Sequence, residues 1–286
     1  MTAPISVGDD NHSQVSSASL PLVELVMHEL AVRKLEVRSI IKVSPHLFRL
    51  TLGGPELSGF ATLAADDHVR VLFPAQGQST PQLPPVVNGQ VQWPRDRSGF
   101  VIRDYTPVRF DPLSQELDLE LVWHPRGHVS TWLSSAKPGD ILGVAGPRGS
   151  HRLTRQPQGL WLIGDETALP AIARFLRELP ADTQVQAFIE VNDAQEKQPL
   201  PTATQAIVHW VYREGSAPGS TRLLLTTLQN AALPELPEYA WIAGEAGAVQ
   251  AVRKYLCEVR GLPRDQISAR GYWKLGAEDH QEPHDD

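Results

Sequence analysis

The sequence predicts a β + α/β protein, with a closed antiparallel barrel first and a parallel sheet flanked by helices after it. In residues 22–149, short alternating or β-branched runs are separated by turns rich in Gly and Pro, which is typical of antiparallel barrels. From about Gln158 onward, apolar strands alternate with helical patterns, which indicates a parallel sheet. At 286 residues, the chain is long enough for two domains.

The first half contains several runs with strand character. Turn signals at positions 53–55 and 138–140 separate some of them. One helix interrupts the strands, because apolar residues recur at helical spacing between Val129 and Ala136. Examples of the predicted strands are 37–43, 47–52, 69–73, 117–123 and 141–145.

The second half alternates strands with helices. Pro180 ends the first of its helices, and Gly261 follows the last. We expect strands at 160–163, 185–191, 206–211 and 239–243, and helices at 169–179, 222–231 and 248–259. The predicted organisation is a disordered tail at 1–21, a barrel domain at 22–153, an α/β domain at 154–276 and an acidic tail at 277–286.

Composition excludes several classes of protein. A formal net charge of −7 argues against general nucleic-acid binding, and no run of eighteen apolar residues predicts a membrane span. Cys257 is the single cysteine, so neither an intrachain disulfide nor an all-cysteine iron–sulfur cluster is expected. The polar start of the chain does not have the pattern of a signal peptide, and a cytoplasmic location is predicted.

The run Arg103-Asp104-Tyr105-Thr106 is the most informative candidate site. An arginine near the rim of a sheet can bind a phosphate through two hydrogen bonds. A tyrosine ring can lie on an isoalloxazine, and a threonine hydroxyl can bond the reacting edge of a flavin. The run therefore favours a flavin site, although the same four residues also suit an ordinary edge strand.

A second candidate site lies at residues 124–132. Gly127 precedes a predicted helix whose first turn contains Ser130 and Thr131, an arrangement that suits the pyrophosphate of FAD. The alternative is an ordinary capped helix. His124 and His128 could also suggest a metal, but they flank a Pro–Gly turn without a further ligand pattern, so no metal site is predicted.

Three further segments fall where a parallel sheet binds ligands. Gly164 ends a predicted strand and would let a ligand approach the backbone, while Thr167 could cap the next helix for a phosphate. The segment 241–245 should end beside this loop, and the aromatic pair at 272–273 could stack on a cofactor. Simple structural roles, namely a capped helix and a terminal strand, stay open for these segments.

Together these segments resemble the siderophore-interacting protein family, the ferric-siderophore reductases of the ferredoxin-reductase superfamily. The resemblance extends from about Leu35 to Gly276. It depends on the segments 66–68, 103–107, 146–150, 164–170, 241–245 and 272–273.

The resemblance implies a six-stranded antiparallel FAD-binding barrel, followed by a parallel-sheet α/β domain that binds the nicotinamide nucleotide. It implies no catalytic side chain and no protein-bound metal. The implied cofactor-binding residues are Arg103, Asp104, Tyr105, Thr106, His124, Gly127, His128, Val129, Ser130, Thr131, Asp165, Glu166, Thr167, Ala168, Gly244, Glu245 and Trp273, and the implied substrate-binding residues are Arg70, Arg148 and Lys274.

The implied activity is reduction of Fe(III) in an anionic siderophore, with FAD as cofactor and NADPH or NADH as the electron donor. Acidic residues at 190–193 mildly disfavour the extra phosphate of NADPH, although Lys197 and Arg213 could still reach it. A ferredoxin donor and a monomeric state are further expectations. The alternatives are a general flavin reductase, an electron donor to a protein partner, or a siderophore-binding flavoprotein without turnover.

Overall fold

The computed structural model describes residues 21–96, 99–125, 127–200, 202, 205–233 and 235–277. Within them, a curled antiparallel sheet is followed by a parallel sheet with helices, as the sequence predicts. Of the two predicted tails, only Pro21 and Ala277 belong to the described residues. No helix in this described part is long and apolar enough to cross a membrane.

The first part contains short strands and one helix of two turns. In chain order these elements are β1 (Val23–Met27), β2 (Val32–Lys42), β3 (Leu47–Gly53), β4 (Val69–Phe73), β5 (Val86–Val87), β6 (Gln90–Val91), β7 (Val101–Tyr105), β8 (Pro107–Asp111), β9 (Glu116–Val122), α1 (His128–Leu133), β10 (Ile141–Ala145) and β11 (Gly149–Leu153). Alternate apolar residues of β2 and β3 form the centre of its core, because Leu35, Val37, Leu50 and Leu52 are completely or almost completely buried.

The antiparallel sheet has seven hydrogen-bonded strands in the order β7-β4-β10-β2-β3-β9-β8, whereas six were predicted. Its two edge strands, β7 and β8, are consecutive in the chain and are separated only by Thr106. The sheet must therefore curl until its edges come within one residue of each other. The difference in strand number arises at Thr106, which interrupts what would otherwise be one long bent strand.

The second part contains a sheet of five parallel strands in the order β14-β13-β12-β15-β16. Its elements are β12 (Leu160–Asp165), α2 (Leu169–Glu178), β13 (Gln184–Val191), β14 (Gln205–Tyr212), α3 (Leu223–Asn230), β15 (Tyr239–Glu245), α4 (Ala246–Glu258) and β16 (Ile267–Trp273). Every residue of β12 and β15 is buried, as expected for central parallel strands covered on both faces. The strand order reverses between β12 and β15, so their carboxyl ends border a crevice of the kind that binds ligands.

The two parts are in direct contact through buried polar groups. Arg174 of α2 is only 4% exposed and donates to the hydroxyl of Thr62 (2.8 Å) and the carbonyl of Pro107 (3.0 Å) in the antiparallel part. The indole of Trp241 on β15 donates to Asp66, at 3.1 Å. The helix α2 therefore packs beside β8, next to the point where the antiparallel sheet closes on itself.

Candidate functional site

The run 103–106 lies at the end of β7. Arg103 is half-buried, and its guanidinium donates to the carbonyl of Ile102, at 2.7 Å. Asp104 forms an ion pair with Arg70 on the neighbouring strand, at 3.5 Å. Tyr105 packs edge-on against Phe73, and burial raises the pKa of its hydroxyl, which therefore stays neutral. The phenol and the guanidinium that the sequence assigns to a flavin are thus adjacent at one edge of the sheet.

Thr106 connects this edge to the parallel-sheet part. It is 5% exposed, and its side chain is hydrogen-bonded to the hydroxyl of Tyr272 on β16. The next carbonyl, that of Pro107, accepts from Arg174. The residue predicted to reach the reacting edge of a flavin therefore lies at the junction of the two parts.

His124 and Gly127 lie in the turn before α1, and the residues from His128 to Thr131 belong to the first part of that helix. The backbone N–H of His124 donates to the hydroxyl of Ser130, at 2.9 Å. A Cβ atom on Gly127 would lie 2.3 Å from Cε1 of His124, so only glycine allows the imidazole to lie across this backbone. Burial, and to a lesser extent the charge of Arg103, lower the pKa of His124. A neutral imidazole, a glycine and the guanidinium of Arg103 consequently lie close together. We call residues 124, 125 and 127–131 the Gly127 cradle.

The other residues of this segment have separate environments. Val129 and Ser130 are buried, whereas Thr131 is exposed and donates to the carbonyl of Gly127, at 3.2 Å. The ring of His128 is bonded to the carbonyl of Pro74, at 3.1 Å. Within the described residues, no group of three His, Cys, Asp or Glu side chains could hold a metal ion.

The Gly164 loop differs from the prediction in two respects. The space beside Gly164 is filled by the protein itself, because a Cβ there would lie 2.4 Å from Cβ of Ala168 and 2.6 Å from the carbonyl oxygen of Ala243. The prediction that Thr167 caps the helix is wrong, since its N–H and hydroxyl both donate to Asp165. The cap of α2 is Ala168, without a side-chain hydrogen bond.

Asp165 is the centre of a hydrogen-bond network at the carboxyl end of β12. Besides Thr167, it accepts from the backbone N–H of Glu245 (2.9 Å) and from the indole of Trp273 (2.8 Å). Burial, reinforced by the charge of Glu166, raises its pKa to about 6. Asp165, which is predicted to contact the nucleotide, thus binds three neighbouring segments of its own chain.

Glu166 is bound to a buried cation. Both of its carboxylate oxygens accept from Arg213, each at 2.7 Å. The guanidinium of Arg213 also lies 3.5 Å from Glu190 on β13. Carboxylates from the carboxyl ends of two adjacent strands therefore share one arginine.

Gly244, Glu245 and Trp273 complete this end of the sheet. Gly244 has a φ of +139°, and a Cβ there would lie 2.6 Å from the carboxylate of Asp165. Glu245 is 8% exposed and caps α4 by accepting from the N–H of Ala248, at 2.8 Å. Its side chain and the indole of Trp273 both press against Gly219.

These groups border a narrow cleft lined by Asp165, Glu190 and Glu245 together with Gly219 and Thr221. The last two residues were not predicted for this site. Two glycines, Gly215 and Gly219, lie in the loop after β14, and both have a positive φ. Their presence in the sequence could have predicted a tight turn over the cleft.

The three predicted substrate cations do not all lie on the same part. Arg70 on β4 pairs with Ala145 of β10, and Arg148 lies three residues after Ala145 in the chain. Arg70 and Arg148 therefore belong to one end of the antiparallel sheet. Arg148 is exposed. Lys274, also exposed, directly follows Trp273 at the end of β16 in the other sheet. Their substrate roles remain predictions.

A curled antiparallel sheet with a polar cradle, joined to a five-stranded parallel sheet with a cleft at its carboxyl edge, defines the class of two-part flavin reductases. The chain matches the family model described as "Siderophore-interacting FAD-binding domain" over residues 36–151, and the model described as "Siderophore-interacting protein" over residues 157–276. The chain belongs to the siderophore-interacting protein family, and the prediction of FAD is confirmed.

Two similar proteins are reductases by name. The chain is 32% identical to the ferric vibriobactin reductase of Vibrio cholerae over 248 residues, which cover 85% of this chain and 90% of that protein. It is 29% identical to the NADPH-dependent ferric-chelate reductase of Escherichia coli, with 87% of this chain and 95% of that protein covered. Both of these proteins are named as ferric reductases, and the second is named as dependent on NADPH.

Solved structures of similar proteins share the fold. A siderophore utilization protein from T. fusca is 38% identical with a TM-score of 0.85, covering 91% of this chain and 98% of that one. The siderophore-interacting protein SipS from Aeromonas hydrophila is 27% identical with a TM-score of 0.70, covering 86% and 93%.

Proposed function

We propose that this protein reduces the Fe(III) of siderophores, with FAD as cofactor and NADPH or NADH as electron donor. The observation that carries the proposal is the junction at Thr106. There the edge with Arg103 and Tyr105 meets Tyr272 of the parallel sheet, so a flavin at that edge would lie beside the part with the nucleotide cleft. The V. cholerae and E. coli relatives, named as ferric reductases, support the same activity.

The residues of the Gly127 cradle fit FAD. A Cβ at Gly127 would meet only the end of the His124 side chain, which can turn away, so the glycine would leave this backbone open to a close ligand. Arg103 would bind phosphate, and Tyr105 and Thr106 would border the flavin ring. The closed six-stranded barrel, in which β7 and β8 count as one bent strand, is part of this proposal.

Bound FAD would supply the chemistry that couples a two-electron donor to a one-electron acceptor. The protein's own residues bind and orient the reactants. Asp165 fixes Trp273 and the start of α4 around the cleft, where we place the nicotinamide nucleotide. Arg70, Arg148 and Lys274 would attract an anionic ferric chelate, despite the net charge of −7.

An anaerobic spectroscopic titration tests the proposal. The purified protein should be yellow and should absorb at about 450 nm, where flavins absorb. This absorption should be lost on addition of NADPH or NADH and should return when a ferric siderophore is added. Ferrozine should trap the Fe(II) that is released. A protein that bleaches but is not reoxidised by any ferric chelate would instead be a general flavin reductase, and one that never bleaches would be a binding flavoprotein.

Partner and location complete the proposal. We expect the protein to act as a monomer in the cytoplasm, where reduced nicotinamide nucleotides are available. Ferredoxin is an alternative donor. Size-exclusion chromatography with light scattering, and reduction assays with ferredoxin in place of the nucleotide, test these expectations.

A further inference from the structure

Arg213 lies directly after β14, at the carboxyl edge of the parallel sheet. It is only 3% exposed, and its guanidinium donates to both oxygens of Glu166, each at 2.7 Å. The second carboxylate nearby, Glu190, is 3.5 Å away. Two carboxylates therefore face the one positive charge that Arg213 brings to this end of the sheet, one more than is needed to neutralise it.

The same end of the sheet is where a dinucleotide is recognised by its adenosine ribose. In doubly wound sheets, an acid near the end of the second strand accepts a hydrogen bond from the ribose 2′-hydroxyl, while an arginine nearby accommodates a 2′-phosphate. Glu190 lies near the end of β13, the second strand of this sheet, and lines the cleft. The chain thus has an acid, Glu190, and an arginine, Arg213, side by side. The contacts of the arginine decide whether it is available to a 2′-phosphate.

The contacts favour the acid. Before Arg213 could bind a phosphate, its two hydrogen bonds to Glu166 would have to break, and charge-assisted pairs of this geometry are the strong ones. The incoming phosphate would also approach a cleft lined by the carboxylates of Asp165, Glu190 and Glu245. A ribose hydroxyl, in contrast, needs only an acceptor.

The Nε atom of Arg213 indicates that Glu166 holds the guanidinium in place. This atom is buried and has no hydrogen-bond partner within the described residues. Because an unpaired buried donor is costly, the guanidinium would not adopt this orientation on the strength of its own hydrogen bonds alone. Loss of the Glu166 charge would leave the guanidinium beside Glu190, at 3.5 Å, and would allow it to turn toward a second anion.

We infer that Glu166 is a specificity-determining residue: by binding Arg213, it prevents recognition of a 2′-phosphate, so that the protein accepts NADH at least as readily as NADPH. This inference rests on the proposed function, because it assumes that the cleft binds the nicotinamide nucleotide. In this respect the chain would differ from the E. coli relative, which is named as NADPH-dependent.

Calorimetric binding of two nucleotides to the intact flavoprotein tests the inference. Adenosine 2′,5′-bisphosphate and AMP differ only in the 2′-phosphate. In the wild-type protein, the two dissociation constants should agree within about threefold. In Glu166→Gln, the bisphosphate should bind about tenfold more tightly, the effect of one added charge-assisted hydrogen bond, while AMP is unchanged.

Two variants are the controls. Glu166→Asp keeps the charge and should retain the wild-type ratio. Glu214→Gln removes the same charge from the exposed residue next to Arg213, and it should also retain that ratio. If Glu166→Gln does not fold, the wild-type and Glu166→Asp ratios still decide the matter, because a tenfold or greater preference for the bisphosphate overturns the inference.

The inference is also overturned if Glu166→Gln and Glu214→Gln gain affinity equally, since the effect would then be a general change of charge. It is overturned if Glu166→Gln leaves both affinities unchanged. Anaerobic bleaching by NADH separates these results from failure of the proposed function. If bleaching persists, the donor site stands and only the role of Glu166 is wrong; if neither nucleotide binds and neither coenzyme bleaches the flavin, both fail.

Discussion

The two candidate sites differ in how far their charged groups are exposed to solvent. In the antiparallel part, Arg103 is half-buried and donates to the carbonyl of Ile102, and Arg148 is exposed. At the carboxyl edge of the parallel sheet, Asp165 and Glu245 are buried and bind backbone or side-chain groups of their own chain. The guanidinium groups of the first site therefore keep a surface that solvent can reach, whereas the polar groups of the second mainly hold the cleft together.

Two glycines show the same contrast at atomic detail. At Gly127 the neighbour is the end of a side chain, the His124 ring, which can turn away. At Gly164 the neighbours are Ala168 and the backbone of Ala243, which cannot. A methyl group should therefore disturb ligand binding at the first position and stability at the second.

The largest effect is expected for Gly164→Ala. The new Cβ would be forced against the backbone of β15, and overpacking of this kind costs about 3 kcal/mol of unfolding free energy. Urea unfolding measures it. Gly127→Ala is the matched variant, which should lose FAD affinity with little loss of stability. Equal destabilisation by both would remove the distinction between the two glycines.

Asp165 should make stability depend on pH. Its pKa in the folded protein is about 6, above the usual 3.8, so its stabilising contribution is complete below about 3.8 and is lost as the pH rises through 6. Relative to Asp165→Asn, the wild-type protein should lose about 2–3 kcal/mol across this window. Urea unfolding at several pH values checks this.

The matched control for that experiment is Asp182→Asn, which changes an exposed carboxylate. Its stability should run parallel to that of the wild type across the same pH range. If the curve for Asp165→Asn is also parallel, burial does not shift the ionisation of Asp165.

Arg103→Ala should weaken the retention of FAD by the antiparallel part. Loss of a charge-assisted contact with phosphate costs about 2 kcal/mol, or roughly a thirtyfold increase in the dissociation constant. Fluorescence titration of the flavin-free protein with FAD measures the change. Arg38→Ala, an exposed arginine paired with Glu36 on the same sheet, is the control and should bind as the wild type does; unchanged affinity in Arg103→Ala would contradict the assignment.

The smallest effect is expected for Arg148→Ala. An exposed arginine attracts an anionic ferric chelate through solvent, so KM should rise about three- to tenfold while kcat is kept. Steady-state kinetics with an anionic chelate and with a neutral ferric hydroxamate complex separate the possibilities. A similar rise for both complexes would show that Arg148 does not act through its charge.

Periodicity and turn residues are local signals, and they were sufficient for the helices and for many of the strands. Strand β2, however, begins at Val32, five residues before its predicted start. The predicted helix 169–179 is observed at Leu169–Glu178, and the strand 69–73 at Val69–Phe73. The break at Thr106 was not predictable, since it results from closure of the whole sheet. Likewise, a strand-ending glycine does not reveal whether a ligand or Ala168 will occupy the space beside it.

The placement of Thr106 has a consequence for unfolding. One residue joins the two edges of the antiparallel sheet, and it is held by Tyr272 and, through Pro107, by Arg174, both from the parallel part. Opening either part would release this joint, so the two sheets should melt in a single cooperative transition. By linkage, FAD bound at the antiparallel edge should then raise the melting temperature of the parallel sheet as well.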